Sequence, residues 1–177
     1  MLRVAKKPRF LRIVQQRAAR VAITASATRG QGAGVVVCAR RFFGRLKLTC
    51  FATSDKHVFA RQLNATTKRL TACLPRRAAS WGLARKLANI FLRDSLYTSY
   101  LARAYRLAKA EKFLEIPLDS ITAKRIRDEM PQLPRWPGVK HLDRVTSNAY
   151  QVAALLIAKQ HGIARVHLDA YWWGARD

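Results

Sequence analysis

The stretch LARKLANIFLRDSLYTSYLARAYRLAK, residues 83–109, decides the fold class. Leu87, Ile90, Phe91, Leu96 (or Tyr97), Leu101 and Tyr105 fall near i, i+3, i+4, i+7 spacing, the period of one helical face. The spacing predicts one long helix. Glu115-Ile-Pro-Leu118 cannot continue it, because proline lacks the N–H and disfavours helix in the residue before it.

The same period extends outward in both directions. Toward the N-terminus, residues 55–74 predict a helix closed by Pro75, residues 35–46 a second and residues 10–27 a third. Arg29-Gly-Gln-Gly-Ala-Gly34 reads as a helix–helix turn. It lacks the Gly-Lys-Ser/Thr of a phosphate-binding loop and the second half of a dinucleotide fingerprint. Toward the C-terminus, Asp119-Ser120 opens a helix to about Met130, and three prolines make residues 131–138 a loop. Ser147 can cap a helix over 148–161 that Gly162 ends, and a last helix runs through Leu168–Trp173. No convincing alternating strand, hairpin or internal repeat appears. The expectation is an all-α chain, a compact bundle of about seven or eight helices in a single domain over residues 1–177.

Charge comes next. The 177 residues carry 34 Lys/Arg against 10 Asp/Glu, a net +24. The acids are segregated: residues 1–54 have none, residues 55–110 have two, and residues 111–177 have eight against ten bases. Two-thirds of the chain is a cationic body, and residues 1–30 form a basic N-terminal segment. With half its residues apolar, the chain is not a disordered basic tail. Such a field needs a polyanion. Nucleic acid (double-stranded DNA) is the first candidate, since Lys/Arg contacts to phosphate release counterions, and an anionic membrane surface is the second. No run of 18 apolar residues exists, so no membrane-spanning helix is expected. Cys38, Cys50 and Cys73 are too few and too dispersed for a four-Cys cluster or a zinc site, so no metal and no cofactor are expected. A monomer in a bacterial cytoplasm, associated with the nucleoid, is the expected state. The alternative compartment is an organelle, because residues 1–25 are Arg-rich and acid-free like a transit peptide.

One constellation carries chemistry. In Trp81-Gly-Leu-Ala-Arg-Lys86-Leu-Ala88, small residues precede a Lys at a helix start, the shape of a helix–hairpin–helix turn. Small residues there would let backbone amides approach a phosphate, and Arg76, Arg77 and Arg85 flank them. Ile116-Pro-Leu-Asp119 then sets a carboxylate at the next helix start.

The Gly-Leu-Ala-Arg-Lys-Leu-Ala turn and the Ile-Pro-Leu-Asp segment resemble the helix–hairpin–helix DNA glycosylase superfamily. Its bifunctional members read Gly-aliphatic-Gly-x-Lys-x-Ala followed by Pro-aliphatic-Asp. The long gap from Lys86 to Asp119 looks like that of the archaeal-type 8-oxoguanine glycosylases. The closing Val166-His-Leu-Asp-Ala-Tyr-Trp-Trp173 is similar to a C-terminal helix of the small 8-oxoguanine glycosylase/lyases. The resemblance covers residues 80–177. Ala84 stands where the family pattern has its second glycine.

The resemblance implies base-excision repair of an oxidised purine, with AP lyase activity. Lys86 would attack C1′, displace the base and form a Schiff base, and Asp119 would stabilise the developing positive charge and help move protons. Gly82, Ala84, Arg85, Arg76, Arg77, Arg40 and Arg41 would hold DNA. The flipped base would lie against Gln31, Tyr150, Trp172 and Trp173. Each residue also has a plainer role open to it: Lys at a helix start is usually solvated, Asp is a preferred N-cap, and a Trp pair on a helix is usually core. The alternative function is a non-catalytic helical nucleic-acid-binding protein that retains the fold. An RNA-associated basic factor is a third reading, although nothing resembles an RRM or KH module.

Overall fold

The computed structural model describes residues 8–174. Part of the expected basic leader, residues 1–7, and residues 175–177 lie outside the described residues. Eight α-helices follow one another: α1 (Pro8–Ala22), α2 (Val35–Phe43), α3 (Lys56–Cys73), α4 (Trp81–Tyr97), α5 (Ser99–Ala104), α6 (Ser120–Glu129), α7 (Arg144–Gln160) and α8 (Leu168–Gly174). Short 3-10 segments occupy Leu48–Phe51, Leu107–Phe113, Val139–His141 and Arg165–His167. Among the described residues there is no strand, so the protein is all-α. None of these helices is long and apolar enough to cross a membrane.

Four of the eight helix starts follow from capping chemistry. Asp55, Ser80, Asp119 and Asp143 each accept hydrogen bonds from amides of the first turn that have no partner inside the helix. Asp143 therefore starts α7 earlier than expected, and Ser147 is buried inside the helix rather than capping it. Gly30, Gly32 and Gly34 all adopt positive φ, which makes the expected turn between α1 and α2.

The long run over 83–109 is not one helix. It breaks at Thr98, whose hydroxyl donates to the Asp94 carbonyl at 2.7 Å, and α5 and the 3-10 segment Leu107–Phe113 follow as separate elements. Arg106, at φ 49°, makes the second bend. A β-branched residue that bonds back to the preceding turn competes with the helical ladder, and apolar spacing alone does not show this.

The apolar faces close two cores. The larger joins α1–α5 around Phe43, Phe59, Leu63, Leu70, Leu83, Leu87 and Phe91, with Phe43 stacked on Phe91 at 4.6 Å between ring centres. The smaller joins α6, α7 and α8 around Ile116, Leu118, Ile126, Tyr150, Ile157 and Leu168. Helix α4 belongs to the first, but Trp81 at its start packs against the second.

The second core is tied to the first through residues 113–118. Arg165 donates to the carbonyls of Phe113, Leu114 and Gln151. The Gln151 amide accepts from Ile116 N at 3.1 Å and donates to Ile116 O at 2.8 Å, as a neighbouring strand would. Extended backbone that proline keeps out of helices α5 and α6 thus has its buried polar groups satisfied. It delivers Asp119 to the seam between the cores.

Candidate active site

The first turns of α4 hold two cations with opposite fates. Arg85 points inward and makes a bidentate ion pair with Glu115, both contacts at 2.8 Å. Its remaining nitrogen donates to Asn64 and Thr67, and Asn89 donates to Glu115. Burial alone would push the Glu115 carboxyl up. The charge and hydrogen bonds of Arg85, with Arg165 and Asn89, outweigh it and hold the group below its ordinary range. Arg85 therefore fixes residues 113–118 against α4. It is not available to phosphate, which corrects its expected role.

Lys86 is the next residue and faces the other way. Its Nζ stands 3.5 Å from Oδ2 of Asp119, and only 11% of the Lys86 side chain is exposed. The Asp119 carboxylate is divided: Oδ1 accepts from the amides of Ile121 and Thr122 at 3.0 Å, and Oδ2 is left toward the amine. Capping and pairing with Lys86 are two functions of one side chain.

Asp119 lines a cleft of about 410 Å³ between α4, the start of α6, the start of α8 and the turn after α1. Arg93, two turns beyond Lys86 on α4, donates to Asp169 of α8 and to Asp94 at 3.0 Å. Burial drives both aspartates above the ordinary carboxylate range. For Asp169 the negative charge of Asp119 adds to this, and Arg93 and Lys86 oppose it. Burial pulls the Arg93 guanidinium down, but the two carboxylates outweigh that and raise it. The cluster places two cations among three carboxylates in a chain of net +24.

The sequence does not single out Arg93, and it leaves Asp169 as a helix residue near Arg165 or Lys140, whereas the structure pairs the two. The helical period places Arg93 on the Lys86 face, which was a usable signal. Nothing local indicates Asp169, because its partners come from another core.

The remaining expected site residues divide sharply. Gly82, Ala84 and Arg85 are buried, so no phosphate reaches them from solvent. Gly82 lies within α4 rather than in a hairpin loop. A Cβ there would come within 2.1 Å of the Val139 carbonyl, so its missing side chain accommodates the chain before α7. Arg76, Arg77 and Arg41 are exposed. Arg40 donates to the carbonyls of Ile23 and Arg20, closing the end of α1.

The expected base pocket does not assemble. Tyr150 is fully buried, with its hydroxyl donating to Pro134 O at 2.8 Å. Trp172 is core as well, covered by Arg125, whose guanidinium carbon lies 5.8 Å from the ring centre. Gln31 is not among the residues around the cleft, and its amide reaches only the Arg29 carbonyl. The Trp173 side chain lies outside the described residues.

Comparison of the chain with protein-family models, with curated proteins and with solved structures found no match.

Proposed function

We propose that this protein is a DNA glycosylase with AP lyase activity, acting on an oxidised purine through Lys86. The observation that carries the reading is the approach of Lys86 Nζ to Asp119 Oδ2, 3.5 Å apart at the seam of two cores. Had they faced different sides of the fold, the reading would have had no support.

The steps balance. The neutral Lys86 amine attacks C1′ of the damaged nucleotide, and the base leaves with the glycosidic electron pair and takes a proton. The nitrogen's other proton passes to O4′ as the C1′–O4′ bond breaks and the sugar ring opens, leaving a C1′=Nζ Schiff base. Loss of a C2′ proton expels the 3′ phosphate, and water then hydrolyses the imine to return the amine. Asp119 accepts the proton that Lys86 gives up and opposes the positive charge growing at C1′. The net charge of +24 supports DNA as the polyanion, and the exposed Arg41, Arg76 and Arg77 supply phosphate contacts.

Borohydride trapping tests the reading. Incubation with an oligonucleotide carrying 8-oxoguanine or an abasic site should give a covalent adduct that Lys86→Ala abolishes. The second reading, a non-catalytic nucleic-acid binder, is favoured by the burial of Gly82 and Ala84, which removes the expected phosphate turn. Salt-dependent binding with no adduct on either substrate would select it.

A further inference from the structure

A cavity of about 830 Å³ lies between α2, residues 45–47 and the C-terminal part of α3, and shares no residue with the cleft. Small-molecule cavities occupy roughly 300–1,000 Å³. Val37, Phe42 and Leu46 give this one an apolar wall, and Val37 is 65% exposed. Cys38 and Cys73 line it too. The Cys38 thiol donates to the Cys73 carbonyl at 2.6 Å. Burial and the neighbouring Cys73 push that thiol up from its ordinary range, against the pull of Arg41, so it stays neutral and behaves as a small hydrophobe.

Four cations join this wall: Arg41, Arg45, Lys47 and Arg69. All four are exposed, so their methylene stems extend the apolar surface while their charged heads stay in water. The Arg69 guanidinium carbon lies 5.9 Å from the centre of the Phe42 ring. Among the described residues none of the four pairs with a carboxylate, and no acid lines the cavity. A smaller cavity of about 260 Å³ shares Arg41 and Arg45 and adds Arg20, again without an acid. No side chain with a neutral amide or hydroxyl lines the larger cavity.

We infer that this cavity binds a small amphipathic anion, with a hydrocarbon body against Val37, Phe42 and Leu46 and a carboxylate or phosphate head at Arg45 and Arg69. The inference goes beyond the glycosylase reading and does not need it, because neither Lys86 nor Asp119 lines the cavity. Hydrocarbon gains by leaving water for an apolar wall. An anionic head gains charge-assisted hydrogen bonds from cations that have no carboxylate of their own. A nucleoside base would leave its polar edges unmatched here, since neither amide nor hydroxyl is present to read them. A nucleic-acid backbone would use the cations and leave the apolar wall bare.

Isothermal titration calorimetry with decanoate tests this, with decanol and acetate as controls. Decanoate should bind at one site with a negative heat-capacity change. Decanol, without the charge, and acetate, without the chain, should each bind at least about tenfold more weakly. Arg45→Ala combined with Arg69→Ala should weaken decanoate about tenfold or more and leave decanol unchanged. Val37→Asp should weaken decanoate by at least as much, through lost apolar surface and a like charge. All three side chains are exposed, so these variants should keep the thermal midpoint. Arg41, already assigned to phosphate, is left in place. No decanoate binding by the folded wild type overturns the inference, as does equal affinity for decanol or binding unchanged in both variants. Binding to phosphatidylglycerol vesicles without uptake of decanoate overturns it too and makes the patch a membrane-surface contact. Weakened duplex affinity in the double variant, again without decanoate binding, overturns it by assigning the cations to nucleic acid. Borohydride trapping on the same samples reads the glycosylase proposal separately.

Discussion

Lys86 Nζ lies 3.5 Å from Asp119 Oδ2, and the other oxygen of that carboxylate caps α6. The two roles can be separated. Asn caps a helix about as well as Asp, whereas Ala does not. Asp119→Asn should leave the thermal midpoint nearly unchanged, and Asp119→Ala should cost about 1 kcal/mol. Both should reduce strand cleavage about 100-fold or more if the carboxylate moves protons. Thermal unfolding and single-turnover cleavage read the two effects independently.

Arg85 and Glu115 should matter for stability rather than DNA affinity. Removing one partner of a buried pair leaves an uncompensated charge, so Arg85→Ala should cost about 3–5 kcal/mol in denaturant unfolding. The Glu115 carboxyl is depressed in the folded chain from an ordinary value near 4.5. Its contribution is then fully present above that value and lost as pH falls through the lower folded one. Stability measured against pH should fall on that acid side in the wild type and less steeply in Glu115→Gln.

Asp169 has the opposite sign. Burial raises its folded pKa above the ordinary 3.8, so ionisation costs the folded state more than the unfolded one. Asp169→Asn mimics the protonated form. The variant should gain on the wild type in thermal midpoint as pH rises from about 4 to 7, and the gap should be smallest at the acid end.

Gly82→Ala tests the correction to the hairpin. The new Cβ would meet Val139 O at 2.1 Å and Leu142 Cβ at 2.7 Å, and neither is the end of a flexible side chain. A loss of about 1–3 kcal/mol is expected, with the shift centred on residues 139–142. If Gly82 instead approached phosphate, the variant would keep its thermal midpoint and lose DNA affinity.

Phosphate contacts are read by salt. Arg76→Ala and Arg77→Ala, both exposed, should each reduce the slope of log affinity against log salt by about 1. Arg40→Ala should chiefly lower the thermal midpoint, because Arg40 donates to two carbonyls at the end of α1.

What was legible in the sequence is what depends on neighbours along the chain. Apolar residues at helical spacing placed four of the eight helices, and capping and breaking residues helped place three more, which gave the all-α class. The eighth, α5, was hidden in a run that Thr98 breaks. Asp119, Pro75, Gly162 and the Gly30–Gly34 turn marked boundaries because capping, proline geometry and positive φ are local chemistry. The cationic body was also readable, since charge is counted rather than folded.

Only the tertiary structure decided which side of each helix was inside. Arg85 and Lys86 are adjacent in sequence, but a helix turns each successive residue by about 100°, so one is buried against Glu115 and the other faces Asp119. Tyr150 and Trp172 looked available for stacking and were claimed by the second core. Tyr97, half exposed at the cleft and hydrogen-bonded to His167, looked like one more core residue of a long helix. Sequence period gives the face of a helix only up to its packing partner. Which partner covers that face depends on contacts between residues far apart in the chain, such as Gln151 with Ile116 and Arg93 with Asp169.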